Sequence, residues 1–276
     1  MTLKQALARA REILATSIEE ASIESELLLR HVLQMSRVQL YLDLDCQLSP
    51  EEEDAFWQLV ERRKRGEPTA YIIGHREFYG LGFYVDNRVL IPRPESELLV
   101  EQALSRTKEQ AVSTIADIGT GCGAIAIALA LNLPQAKIYA TDISAKALEV
   151  ALINCQRHGV ADRVCLLQGD MLSPLPEAVD IIVANLPYVE KSELPRVSTA
   201  GYEPVLALAG GSSGLEKIFR LCRQVEGKLR SSGCLLLEVG QGQAQAVTTL
   251  LRGLFPSFVI EVIPDLSGID RVVKLG

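Results

Sequence analysis

The chain has few of the residues that build metal centres or cross-links. It holds three histidines and six cysteines in 276 residues, and Cys46, Cys122, Cys155, Cys165, Cys222 and Cys234 lie scattered with no C-x-x-C pair. Neither a zinc site nor a disulfide framework is indicated. No apolar run approaches the ~18 to 20 residues needed to span a bilayer. Lys4, Arg9, Arg11 and Glu12 interrupt the N-terminal apolar pattern where a signal-peptide core would have to be continuous, so a cytoplasmic location is expected. An excess of positive charge is also missing. The formal charge of -7 repels a polyanion unless a local basic patch overrides it, which disfavours broad nucleic-acid binding. What remains is an ordinary globular composition, 48% hydrophobic, sufficient for one large domain or one domain plus a smaller one.

Residues 1 to about 70 carry a helical period. Leu3, Leu7, Ala10 and Leu14 share one stripe and Leu28, Val32 and Met35 another. A further helix opens at Ser49-Pro50-Glu51-Glu52, where Ser49 can cap, Pro50 suits the first position and Glu52 completes a capping box. It continues through Phe56, Leu59, Val60 and Arg63 and ends on Arg62-Arg63-Lys64-Arg65, a run that complements the helix dipole or offers a basic docking patch. Such a bundle has no catalytic constellation and is expected to serve recognition, giving a domain over 1–74. Phe78 to Val85 places Gly80 and Gly82 between aromatic and β-branched residues, the pattern of a hairpin, so 75–90 is expected to be a connector. Ile91-Pro92-Arg93-Pro94-Glu95-Ser96-Glu97 then leads into a helix through Leu98, Leu99 and Glu101.

From residue 113 strand and helix patterns alternate, which predicts an α/β fold with a mostly parallel sheet. Strands are expected at 114–118, 137–142, 163–168, 179–184, 234–239, 257–263 and 271–275, and helices at about 123–132, 145–158, 214–230 and 243–253. Only Pro264 to Asp270 separates the last two strands, too short a gap for a helical crossover, so they should pair antiparallel.

Two turns in this region carry the chemistry. Asp117-Ile118-Gly119-Thr120-Gly121-Cys122-Gly123 follows the first strand and opens the first helix, where glycines permit a tight turn and free NH groups face a ligand. Asp142 ends the next strand, about 20 residues on, placed to accept ribose hydroxyls. This much suits any adenosine-containing cofactor. With Ala124 the turn satisfies the dinucleotide pattern, which keeps NAD and an oxidoreductase in contention. Three details favour S-adenosyl-L-methionine: Asp117 two residues before the first glycine, where it can meet a charged amino-acid group; the third glycine at 123; and Gly169-Asp170-Met171, where Asp170 and Met171 can hold an adenine. The second turn, Asn185-Leu186-Pro187-Tyr188, follows the apolar run Val179 to Ala184. The Asn185 side-chain oxygen and the Leu186 carbonyl are two acceptors, Pro187 keeps Leu186 extended, and Tyr188 adds a flat ring, a set that can grip a planar NH2 group.

Together these residues resemble the peptide release factor glutamine N5-methyltransferase family. The resemblance runs through Glu26 to Leu29, Pro68 to Gly74, Glu77 to Gly80, Leu90 to Glu95, the glycine turn and Asn185-x-Pro187-Tyr188. It continues through Glu203-Pro204, Ala207 to Gly211, Gly214-Leu215, Glu238-Val239-Gly240 and Gly268 to Arg271. Three positions depart from the family's pattern: Leu186 replaces its usual first proline, Ser96 stands where threonine is common, and Met171 where an aromatic is often found. The resemblance implies a Rossmann-like class I methyltransferase sheet over 91–276. It implies S-adenosyl-L-methionine bound by Gly119, Thr120, Gly121, Cys122, Gly123, Asp142, Asp170, Met171 and Asn185, with S-adenosyl-L-homocysteine as product. Asn185, Leu186, Pro187 and Tyr188 would bind substrate and act in catalysis. The implied partner is a peptide chain release factor, methylated on the glutamine of its Gly-Gly-Gln motif, by a monomer that needs neither membrane nor nucleic acid. Asn-Leu-Pro-Tyr is also the form seen in RNA dimethyladenosine methyltransferases, so an RNA adenine methyltransferase stays open as an alternative, as does a cofactor-binding module without activity.

Overall fold

In a computed structural model, which describes residues 1–109, 112–194 and 201–276, the chain forms two compact units, Met1–His75 and Arg76–Gly276. The first is helical: α1 (Leu3–Leu14), α2 (Ala21–Leu33), α3 (Arg37–Leu42), α4 (Pro50–Lys64) and α5 (Thr69–Ile73). Thr2, Ser36 and Ser49 each cap a helix in a capping box, so three of the starts are written in the local sequence. Leu3, Ala10 and Leu14 pack with Leu28, Leu29, Phe56 and Val60 in one core. The basic run at the end of α4 is largely answered within the unit. Arg62 pairs with Glu67 at 2.6 Å, and Arg63 pairs with Glu24, which also accepts a bond from Thr69.

The second unit begins with a ribbon of β1 (Arg76–Phe78) and β2 (Leu81–Phe83). Its two-residue turn needs positive φ twice, and Tyr79 (φ 52°) and Gly80 (φ 69°) supply it. The ribbon expected as a connector belongs to this unit. Asn154 clamps its exit, accepting from Tyr84 N at 2.8 Å and donating to the Tyr84 carbonyl at 2.9 Å.

A short 3-10 turn over Pro94–Ser96 leads into α6 (Glu97–Glu109), after which strands and helices alternate: β3 (Thr114–Ile118), α7 (Ala124–Asn132), β4 (Lys137–Asp142), α8 (Ala145–Arg157), β5 (Val164–Gln168) and β6 (Val179–Ala184). There follow β7 (Val189–Glu190), α9 (Val205–Leu208), β8 (Ala209–Gly211), α10 (Glu216–Gln224), β9 (Leu229–Glu238), α11 (Ala244–Leu254), β10 (Ile260–Pro264) and β11 (Asp270–Leu275). Seven strands form one sheet in the order β10-β11-β9-β6-β3-β4-β5, and β7 pairs with β8 apart from it. The inner strands run parallel, and β11 is antiparallel to both β9 and β10. Strand β6 is buried throughout: Ile181 to Ala184 are apolar, and the one charge in it, Asp180, accepts from Ser113 N and Thr114 N at 2.9 Å.

The helix expected over 214–230 is shorter at both ends. Gly214 (φ 74°) cannot belong to a right-handed helix, Gly227 (φ 74°) turns the chain, and Leu229 already pairs with Val179 in the sheet. The strand expected from 257 starts at Ile260, because Phe255 to Phe258 closes a turn first. Among the described residues no helix is long and apolar enough to cross a membrane.

Candidate active site

Register brings the two chemical turns together. Ile118 at the end of β3 lies opposite Ala184 of β6 on one side and Thr141 of β4 on the other. Ala184 also lies opposite Leu237, and Asp142 opposite Gln168. Glu238, Asn185, Gly119, Asp142 and Asp170 therefore emerge in a row along one edge of the sheet. The first strand of the series has later strands on both flanks, so the row lies at a topological switch point, where crevices open in such sheets.

The glycine turn is held mainly by its own neighbourhood. Gly119, Gly121 and Gly123 have φ of 73°, 56° and 84°, and the NH groups of Gly119 and Thr120 both donate to the Thr141 carbonyl at 2.9 Å. Asp142 Oδ2 accepts from Gly121 N at 3.0 Å and Oδ1 from Ser144 N at 2.9 Å. Asp117 turns inward. It is 1% exposed, with Oδ2 accepting from Thr120 Oγ1 at 2.6 Å and from Ala126 N at 3.2 Å, and burial lifts its carboxyl to about 7. It fastens the turn to α7 instead of facing a ligand.

A cavity at this edge is walled by Gly119, Gly121, Asp142, Asp170, Met171 and Asn185, all expected at the site, together with Ile118, Leu206 and Lys217. Thr120, Cys122 and Gly123 were expected to line it and do not. Thr120 spends its hydroxyl on Asp117, the Cys122 carbonyl accepts from Asn154 at 2.9 Å, and Gly123 packs under α8, where a Cβ would stand 3.3 Å from Ala151. Burial raises the Asp142 carboxyl, against the backbone NH groups of Ser144, Gly121 and Ile143 and the charge of Lys217, which lower it. Asp170 is ion-paired with Arg220. Met171 sits in the left-handed region (φ 52°), its carbonyl accepting from Thr141 Oγ1 at 3.0 Å. Opposite, Glu203 anchors the segment that carries Pro204, Leu206 and Ala207. Its buried carboxylate accepts from Arg93 Nη2 at 2.6 Å and from Ile91 N at 3.0 Å.

Asn185, Leu186 and Pro187 line this cavity and also a smaller neighbour, whose wall includes Tyr188, Arg93 and Glu238. The turn is thus the partition between two chambers. Leu186 is 5% exposed and rests against the glycine turn, since a Cβ on Gly119 would stand 3.1 Å from its Cδ2. The Asn185 Nδ2 donates to Ser96 Oγ at 2.8 Å, while neither Asn185 Oδ1 nor the Leu186 carbonyl is bonded among the described residues. Tyr188 donates to Glu238 at 3.3 Å, and its carbonyl accepts from Gln243 Nε2 at 3.0 Å. Burial pushes the Tyr188 hydroxyl up to about 12. Gly210 and Gly214 let the chain approach here. A Cβ would come within 2.7 Å of Tyr188 Cα at the former and 2.4 Å of the Tyr188 carbonyl at the latter.

Sequence reasoning missed the supporting roles of Ser96, Glu238, Gln243, Gly210 and Gly214. One signal was available: Glu238 is a lone charge closing the apolar run Cys234 to Leu237, at the same end of a parallel strand where Asp142 and Asn185 stand.

Comparison with known proteins fits this geometry. Residues 5–74 match the PrmC N-terminal domain and residues 94–200 the methyltransferase small domain. A release factor glutamine methyltransferase of Moorella thermoacetica is 44% identical over 98% of this chain and 97% of its own length. The chain belongs to the release factor glutamine methyltransferase family. Another relative of that name, from Geobacter sulfurreducens, is 40% identical over 99% of this chain and 95% of its own. Solved structures share the fold: the hMettl16 catalytic domain (TM-score 0.59, 15% identity, 83% of this chain and 82% of that one) and a methyltransferase from Pyrococcus furiosus (TM-score 0.52, 18% identity, 71% and 89%).

Proposed function

We propose that this member of the family transfers a methyl group from S-adenosyl-L-methionine to the side-chain amide nitrogen of the glutamine in the Gly-Gly-Gln motif of peptide chain release factors. The observation that carries the reading is the partition: one turn with two unbonded acceptors forms a wall of both chambers, so a group held in either meets Asn185 and Leu186.

The larger chamber suits the cofactor. A Cβ on Gly121 would meet nothing within 4 Å, so bare backbone faces the space. Asp142 has lone pairs left for ribose hydroxyls after its two backbone bonds, and Ile118 and Met171 offer apolar surface for a base. When bound, S-adenosyl-L-methionine supplies a methyl group on a cationic sulfur, so the new N–C bond forms as the S–C bond breaks and the electron pair stays on sulfur.

A carboxamide nitrogen is a poor nucleophile because its lone pair is delocalised into the carbonyl. Asn185 Oδ1 and the Leu186 carbonyl accept its two N–H bonds, turn the lone pair toward the first chamber and stabilise the positive charge that develops on nitrogen. Leu186 suffices because a backbone oxygen is what the site requires. Tyr188 packs beside the substrate amide. No histidine or cysteine base enters, since the N-methylated cationic amide is strongly acidic and gives its proton to water.

The helical unit recognises the protein partner in this reading, and the second unit, with its catalytic sheet over 91–276, performs the transfer in the cytoplasm. Val38, Tyr41 and Leu42 of α3 stand exposed as apolar surface for such a partner. Deleting residues 1–74 should raise KM for whole release factor far more than for a short Gly-Gly-Gln peptide; equal changes would contradict that role. The function is tested by incubating the protein with labelled S-adenosyl-L-methionine and, separately, release factor or ribosomal RNA. Label is expected in the release factor, and label in the RNA alone would transfer the assignment to the RNA alternative.

A further inference from the structure

Ser96 and Glu238 are 142 residues apart in the chain and touch neither each other's helix nor strand by sequence, yet they meet behind Asn185. The register explains why. Leu237 lies opposite Ala184, so Glu238 and Asn185 leave the sheet side by side, and the 3-10 turn over Pro94–Ser96 brings a hydroxyl between them. Ser96 and Glu238 are 3% and 1% exposed, so water does not compete for their bonds. Ser96 Oγ donates to Glu238 Oε2 at 2.6 Å and accepts from Asn185 Nδ2 at 2.8 Å. Tyr188 donates to the other carboxylate oxygen at 3.3 Å.

A hydroxyl has one hydrogen, and a carboxylate only accepts. Once Ser96 has given its hydrogen to Glu238, it can only accept from Asn185, and only the NH2 end of the Asn185 amide can donate. The oxygen end is thereby held on the opposite side. A side-chain amide is close to symmetric in shape, so packing alone would not choose between its two orientations. The wrong one would set donor against donor at a substrate NH2 group.

We propose that Ser96 and Glu238 are positioning residues that fix the polarity of Asn185, so that its oxygen and not its nitrogen meets the substrate amide. The inference rests on the reading of Asn185 as an acceptor for that amide. Its effect is on the reacting geometry, so it should appear in kcat and leave cofactor affinity alone.

The test is single-turnover methylation of release factor at saturating S-adenosyl-L-methionine by wild type, Ser96→Ala, Ser96→Thr, Asn185→Ala and the Ser96→Ala/Asn185→Ala double variant. S-adenosyl-L-homocysteine affinity and Tm are measured for each. Ser96→Ala should lower the rate ~10-fold, the value of one buried neutral hydrogen bond at the upper end of its range. S-adenosyl-L-homocysteine affinity should change by less than about twofold. Ser96→Thr, which keeps the hydroxyl, should recover most of the rate, and the double variant should be no slower than Asn185→Ala. A Ser96→Ala rate within about twofold of wild type, beside a collapsed Asn185→Ala, overturns the proposal. So does a Ser96→Ala loss that multiplies onto Asn185→Ala, the mark of a merely structural role. Asn185→Ala at near wild-type rate would instead overturn the reading beneath it. Should Ser96→Ala lower Tm strongly, the pair Ser96→Thr and Ser96→Val decides in its place. Threonine and valine have nearly the same shape and only threonine has a hydroxyl, so a Ser96→Val rate ~10-fold below that of Ser96→Thr supports the proposal, and equal rates contradict it.

Discussion

The glycine turn and the Asn-Leu-Pro-Tyr turn stand side by side on neighbouring strands, and they are built in opposite ways. Asp117, Thr120, Thr141 and Asp142 hold the first, all within about one βαβ unit. Ser96, Glu238, Gln243 and Gly214 hold the second, from segments before and well after it. A turn that presents bare backbone to a ligand can be completed locally, because the peptide groups are the binding groups. A turn that must aim one side-chain atom needs outside groups to choose its orientation. The first should therefore govern cofactor affinity and the second the rate of the chemical step.

Substitutions can break that division, beginning with the largest effect. Asn185→Ala removes an acceptor aimed at the reacting amide, and losing one such preorganised partner lowers kcat by ~10² to 10³, measured with release factor at saturating cofactor. Asp142→Ala should act on the other quantity. Hydrogen bonds to a charged group are worth ~1.5 to 3 kcal/mol, so S-adenosyl-L-homocysteine affinity by calorimetry should weaken ~10- to 100-fold.

The effect of pH sharpens the contrast by separating stability from rate. Burial lifts the Glu238 carboxyl to about 7, with Ser96, Arg271 and Tyr188 lowering it and Glu95 raising it. A carboxyl with a folded value above its unfolded one, ~4.3, binds more protons when folded. Its contribution to stability is therefore largest at acid pH and declines as pH rises through that window. Tm of the free protein should fall between pH 5 and about 7.5, and Asp117, lifted likewise, adds to the slope. The rate should move the other way. Protonated Glu238 can donate to Ser96, which reverses the hydroxyl and with it Asn185, so kcat should fall several-fold below about pH 7, and Glu238→Gln should flatten that limb. Leu186→Pro has the smallest expected effect. Residue 186 already precedes a proline and is largely confined to extended shapes, so its carbonyl stays in place and kcat should change less than about threefold.

The same contrast explains what was legible in the sequence. The parallel sheet followed from alternating apolar runs, and β3, β4 and β6 begin and end where their residues predict. The glycine turn was legible because its ligand-facing atoms are backbone. Its details were less so: Thr120, Cys122 and Gly123 share the motif but face inward, and nothing in the spacing separates residues that touch a ligand from those that brace the turn. The second turn was legible as Asn185 to Tyr188 alone. Ser96 read as a helix entry and Glu238 as a strand end, since their meeting depends on the pairing of β6 with β9, which no local pattern specifies. Gly214 was placed inside a helix because its positive φ answers to Tyr188, a contact made only in three dimensions.

The most direct measurement follows the methyl group itself. Release factor and two short peptides, one with Gly-Gly-Gln and one with Gly-Gly-Glu, are incubated with the protein and S-adenosyl-L-methionine, and the modified residue is located by fragment-ion mass spectrometry. A glutamate has no NH2 for Asn185 and Leu186 to grip. One added methyl on the side-chain nitrogen of the Gly-Gly-Gln glutamine, with the glutamate peptide unmodified, is the predicted result. A methyl group on any other residue, or equal modification of both peptides, would contradict the account of the turn as an amide-orienting clamp.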